Sequence, residues 1–147
     1  MSDVIVWATD GSPAADLALP LAIDAARVRG ARLLAVHVDE LSVSKGGAYE
    51  VNVDEDDRLA DIRRRLDELG RQGIDTKLMV TTMPSGGAAH AIADAARDAG
   101  ADLIVVGTRG HGFVKGLLVG SVTHRLLHVA PCPILVVPSA NGDAAGG

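Results

Sequence analysis

One stretch of the chain carries residue types at spacings that could do chemistry: Gly107-Thr108-Arg109-Gly110-His111-Gly112-Phe113-Val114-Lys115-Gly116-Leu117-Leu118-Val119-Gly120-Ser121-Val122. Glycine tolerates positive φ and lets a backbone approach a ligand closely. Turns of this kind aim successive N–H groups into one concavity that suits an anion. Gly120-Ser121 stands where a final helical pattern begins, so unpaired N–H groups and the positive end of a helix dipole would face the same space and favour phosphate. The Ser121 hydroxyl fits two roles there, capping the helix or donating to a phosphate oxygen. Arg109 also has two readings, phosphate contact or solvent. Lys115 reads as a solvated outer-loop side chain, and His111 as facing solvent or packing within the loop. The stretch is not a Walker A loop, because Phe113 follows Gly112 where lysine would be required. Nor is it a dinucleotide fingerprint, because Lys115 stands where the third glycine would be. Taken alone, such a loop does not separate phosphate binding from ordinary turn chemistry.

The elements that must position this loop alternate along the chain. Apolar, β-rich runs at 4–9, 32–38, 76–80, 103–107 and 134–137 are interleaved with helical patterns. Several runs are apolar at nearly every position, as strands covered on both faces are. The pattern predicts an α/β fold: a single doubly wound, Rossmann-like parallel sheet of these five strands with helices on both faces and right-handed crossovers. Ligands of such sheets bind outside the carboxyl ends of the strands, where the winding reverses. Three segments are expected on that edge: Asp10-Gly11-Ser12 after the first run, His37-Val38-Asp39 after the second, and the glycine loop after the fourth. Asp10 reads as facing the ligand, because Ser12 suits the cap better.

Ser12 and Pro13 predict the cap and first position of a helix that stops at Gly30, with Leu17, Leu21, Ala25 and Val28 on its buried face. Pro20 inside it removes a hydrogen bond and predicts a kink or a later start. Residues 39–53 read as a long loop, either a functional flap or disordered. A helix follows from the capping-box-like Asn52-Val53-Asp54-Glu55, with Leu59, Ile62, Leu66 and Leu69 buried and Arg63-Arg64-Arg65 on a solvated face. A third helix is expected over 86–99, burying Ala88, Ile92 and Ala96, and a last one over 121–129. His124 and His128 are four apart on that last helix, a spacing able to hold a metal. With no cysteine or carboxylate nearby in sequence, they read instead as an exposed or dimer-facing pair. Residues 1–138 read as one domain and 139–147 as a disordered tail.

Composition sets the outer limits. Of 147 residues 48% are apolar but only 2% aromatic, so the core must be built from Val, Leu, Ile and Ala. A formal charge of -5 argues against bulk binding of nucleic acid yet leaves room for a small anion held by backbone N–H groups. Cys132 is the only cysteine, and between Pro131 and Pro133, with no neighbouring base or cation, it reads as a buried, inert thiol. Met1-Ser2-Asp3 lacks the basic start of a signal peptide, and no apolar run approaches the roughly 20 residues that span a bilayer. The expected location is cytoplasmic, with no membrane partner.

From Val4 to Val137 the arrangement resembles the universal stress protein family. The likeness rests on Gly107-x2-Gly110-x9-Gly120-Ser121, the ATP-binding pattern of one branch of that family. Asp10-Gly11-Ser12, His37-Val38 and Ala130-Pro131-Cys132-Pro133 support it. The resemblance implies an adenine nucleotide, ATP, with Mg²⁺ or Mn²⁺ held mainly by the phosphates. Gly107, Gly110, Gly120 and Ser121 would line the ribose and phosphates, and Val122 would add a backbone N–H. Asp10, in its turn with Gly11 and Ser12, would sit near the ribose or a phosphate-bound metal, and Val38 would meet adenine through its backbone. Family members usually dimerise by pairing their last strands, here Ile134–Val137, which implies a homodimer. Thr82-Met83-Pro84-Ser85, Phe113 and Pro20 depart from the family pattern. The implied function is a nucleotide-dependent regulator in the stress response. A slow ATPase, or a dimeric interaction module with a vestigial pocket, are the alternatives. Arg109, Lys115 and a metal offer electrophiles for phosphoryl transfer, but no base is assured.

Overall fold

Strands and helices alternate strictly: β1 (Val4–Thr9), α1 (Pro13–Arg29), β2 (Arg32–Glu40), α2 (Val53–Arg71), β3 (Thr76–Met83), α3 (Ala88–Ala99), β4 (Leu103–Gly107), α4 (Ser121–Val129) and β5 (Ile134–Val137). The structure, a computed structural model, describes residues 3–40, 53–83, 87–108 and 120–138. Most of the long 39–53 loop, the Asn52 cap, Pro84-Ser85, Arg109 to Val119 and the 139–147 tail therefore lie outside the described residues.

All strand pairs are parallel, and the order across the five-stranded sheet is β3-β2-β1-β4-β5. The chain winds outward from β1 to β3, then α3 returns it to β4 on the other side of β1. The winding thus reverses between β1 and β4, and the carboxyl ends of those two strands border the crevice where such sheets take ligands.

Both faces of the sheet are covered, which is why the strands read as continuous apolar runs. Ile5, Trp7, Leu33, Ala35 and Val105 pack with α1 and α2, including Ala18, Leu19, Ala22, Ile62 and Leu66. The alternate residues Val6, Leu34, Val36, Ile104 and Val106 pack with Ala89, Ile92 and Ala96 of α3 and Leu126 of α4. The predicted stripes of α2 and α3 are thus buried as expected, with Leu59 only partly so.

Three expectations are corrected. The predicted face of α1 is wrong: Leu17, Leu21 and Val28 are exposed, Val28 at 87%, and Ala15, Ala18, Leu19, Ala22 and Ala26 are buried instead. Alanines let the helix axis lie close to the sheet, and that proximity outweighs the larger transfer energy of the leucines. Pro20 does not delay the start of α1, which opens at Pro13 and runs through it; its ring sits on the exposed side, where the loss of one ladder bond is tolerated. Finally, β2 and β3 run past their apolar stretches, with Asp39 opposite Thr82 and Glu40 opposite Met83. Ladder bonds belong to the backbone, so pairing continues into polar residues, and His37-Val38-Asp39 lie within β2 rather than after it.

Candidate functional site

A tight turn follows β1. The Thr9 hydroxyl accepts from Gly11 N at 3.0 Å, and Asp10 Oδ1 accepts from Ser12 N at 2.9 Å. Gly11 sits at φ +80°, a region that side chains other than hydrogen resist. Ser12 Oγ then accepts from Ala15 N at 3.3 Å and Pro13 opens the helix, as predicted. Trp7 Nε1 donates to Ala15 O at 2.9 Å, so the first turn of α1 is also tied to the strand beneath it. Ser12 is only 3% exposed: its N–H is given to Asp10, its carbonyl accepts from Asp16 N, and its hydroxyl oxygen accepts from Ala15 N in the cap while keeping its own O–H to donate. Asp10 is partly exposed at the carboxyl end of β1.

Across the crevice, α1 and β4 approach so closely that a Cβ at Gly107 would lie 2.6 Å from Ala14 O. This glycine has a packing reason, independent of any ligand. Its carbonyl accepts from the buried Thr123 hydroxyl at 3.0 Å. Thr108 N donates to Val137 O at 3.1 Å, and Gly120 N donates to Thr108 O. Residues 108 and 120 are thus joined at the base of the glycine loop, which brings the start of α4 to the end of β4. Gly120 is the N-cap of α4 with no side-chain cap bond, and Ser121 and Val122 are exposed in its first turn. The first N–H groups of a helix have no partner within it and carry its positive dipole end.

Of the sequence-predicted residues, the fold therefore gathers Asp10, Gly11, Ser12, Gly107, Gly120, Ser121 and Val122 around the switch point. Val38 lies half-buried one strand away, near the end of β2. Arg109 and Gly110 lie outside the described residues.

Two contributors take roles that no local pattern assigns: His37, expected on this edge only as part of its segment, and Arg58. His37 is 1% exposed, and its Nδ1 lies 2.9 Å from Thr9 O. A carbonyl only accepts, so Nδ1 carries the proton and the ring ties the end of β2 to that of β1. Its position opposite Thr9 needs the strand register, which no local pattern reveals. Arg58 of α2 lies against Gly11, with its Cδ, Cγ and Cβ 3.0–3.3 Å from where a glycine Cβ would stand. It follows four acidic residues and precedes the more conspicuous Arg63-Arg64-Arg65.

Other candidates belong elsewhere. Arg65 is not simply solvated: it bridges α2 to α1 through Asp16 at 2.9 Å and also meets Asp61 at 3.2 Å. His124 and His128 are exposed as expected, their rings edge to face at 5.3 Å. No group of three or more metal-ligating side chains occurs among the described residues. Cys132 is half-buried rather than buried, and desolvation, with a smaller contribution from Asp102, raises its thiol pKa above the usual range. Among the described residues no helix is long and apolar enough to cross a membrane.

The family model for universal stress proteins matches residues 1–138. The chain belongs to the universal stress protein family. It is 36% identical to a universal stress protein of Thermus aquaticus over 93% of this chain and 99% of that protein. Among solved structures, the universal stress protein UspA from Lactobacillus plantarum superposes with a TM-score of 0.74 at 26% identity, covering 92% of this chain and 97% of that one. A universal stress protein from Archaeoglobus fulgidus in complex with dAMP shares the fold at a TM-score of 0.66 and 20% identity, over 93% of this chain and 98% of that one.

Proposed function

We propose that the crevice between the carboxyl ends of β1 and β4 binds an adenine nucleotide, ATP with Mg²⁺ or Mn²⁺ held mainly by its phosphates, and that the protein is a nucleotide-dependent regulator in the stress response. The observation that carries this reading is the closed base of the glycine loop. Gly120 N bonded to Thr108 O brings the N-terminus of α4 to the carboxyl end of β4, and the neighbouring strand β1 ends in the Asp10–Ser12 turn, at the point where the sheet's winding reverses. The spacing Gly107-x2-Gly110-x9-Gly120-Ser121 and the dAMP complex of a structural neighbour support it. In this reading the phosphates meet the loop glycines, Arg109 and the N–H groups of Ser121 and Val122, Asp10 faces the ribose or the metal, and Val38 meets the base. Bound nucleotide acts through the glycine loop or by altering a homodimer built on β5, an edge strand of the sheet with Leu135 exposed. The protein would do this in the cytoplasm.

Isothermal titration with ATP and Mg²⁺ tests the reading, with Gly120→Asp as the paired variant. Gly120 has φ -64°, which any residue adopts, and aspartate is a good N-cap, so the fold should keep its melting temperature. The new carboxylate would repel phosphate. Saturable heat from the parent protein and at least about tenfold weaker binding by the variant are expected. No heat at millimolar ATP, or equal affinity of the two proteins, would reject it.

A further inference from the structure

We propose that Arg58 is a ligand-binding residue of this same crevice, contacting phosphate and making the site prefer phosphate-rich nucleotides over nucleosides; the proposal rests on the nucleotide reading above. The three heavy atoms nearest to a Cβ built on Gly11 all belong to Arg58, at 3.0, 3.1 and 3.3 Å. They are its Cδ, Cγ and Cβ, so the aliphatic stem lies over the turn and the guanidinium begins one bond beyond Cδ. That brings a permanent cation within a side chain's reach of the turn that carries Asp10, on the carboxyl edge of the sheet.

Charge gives a cation a role there beside the metal and Arg109. Asp10 is itself an acidic group at the crevice, and Asp56 and Asp57 are exposed near the start of α2 on the same edge, in a chain of net charge -5. These carboxylates repel a polyphosphate with several negative charges, and a cation on the same edge offsets that repulsion in addition to the metal. Arg58 is the first basic residue of α2. It is half-buried, and its stem is confined by packing on Gly11, so less side-chain entropy is lost on binding than for a fully mobile arginine. A guanidinium presents five donors in a planar fork, so a partner already bonded to one of them leaves others for phosphate oxygens. Gly11 is essential to this arrangement: any side chain there would push the stem off the turn.

The experiment compares the parent protein with Arg58→Gln and Arg58→Lys by titrating each with adenosine, AMP and ATP in Mg²⁺. Glutamine keeps most of the stem and removes the charge; lysine keeps the charge and loses the fork. For Arg58→Gln, affinity for ATP is expected to fall about tenfold or more, AMP less, and adenosine less than twofold. Arg58→Lys should recover part of the ATP affinity. An equal loss for adenosine and ATP would mean that Arg58 merely supports the turn, and unchanged ATP affinity would mean that it does not touch the phosphates; either result overturns the proposal. Binding of ATP by the parent protein separates these outcomes from failure of the nucleotide reading itself, in which no titrant gives heat with any of the three proteins and both fall. Thermal melts confirm that the variants are folded, and Arg58→Lys carries the test if Arg58→Gln is not.

Discussion

Replacing Gly107 with alanine would put a methyl carbon 2.6 Å from Ala14 O, 2.9 Å from Ala14 C and 3.3 Å from Ala15 N. A carbon and a carbonyl oxygen in ordinary close contact lie about 3.3–3.6 Å apart, so α1 and β4 must separate by about 0.7–1 Å. Neither side gives easily. The obstructing atoms are backbone, in a helical turn held by the Ser12 cap and by Trp7 Nε1 on Ala15 O, while Gly107 is held by Thr123. Overpacking a well-filled interior costs about 1–3 kcal/mol, and rigid partners put this site in the upper part, about 2–3 kcal/mol. For a domain of this size that lowers Tm by about 4–10 °C. Urea unfolding can be followed by the single tryptophan, because Trp7 is fully buried and bonded to the very turn that must move. The control is Gly70→Ala, the same chemical change inside α2 where nothing lies within 4 Å, which should leave stability unchanged or raise it by up to about 1 kcal/mol. A Gly107→Ala protein within about 0.5 kcal/mol of the parent, at the same m-value, would refute the close-approach argument.

Two further outcomes follow from the same neighbourhood and its periphery. Thr123→Val keeps the shape of a buried side chain but removes the donor to Gly107 O, and should cost about 1–2 kcal/mol in a thermal melt; an unchanged Tm would show that this carbonyl needs no partner. Iodoacetamide should modify Cys132 more slowly in the native protein than in urea at pH 8.5, because burial, and then Asp102, keep the thiol protonated and only the thiolate reacts. The sign for stability matches: a raised native pKa favours the protonated thiol, so that contribution is full below the ordinary thiol pKa and is lost as pH rises through the native value. Equal alkylation rates in the native and unfolded protein would contradict the assigned shift.

Much of the site is legible in the sequence, because its signals are local. Ser12 and Pro13 announce a helix start within four residues, and Gly120-Ser121 forms the cap and first residue of α4. The alternation of apolar runs with helical segments required a parallel sheet, and the strand order confirms it. Local signals failed where distance between elements mattered. Leu17, Leu21 and Val28 form a sound helical stripe, yet α1 turns its alanines and Leu19 inward, and its first turn lies against Gly107 of β4.

The sequence by itself determined the order and type of the elements, the Ser12 cap, the Gly30 and Gly100 stops, and the spacing of the glycine loop, since each depends on residues a few positions apart; the Ser121 hydroxyl does not cap α4, because Gly120 holds the cap position. Only the tertiary structure decided which face α1 buries, that Gly107 serves packing, that His37 ties β2 to β1, and that Arg58 lies on Gly11. The last three of those facts join residues 28 to 93 positions apart, from the α1–β4 approach to the strand register, and their energies depend on tenths of an ångström that no neighbour in the chain encodes.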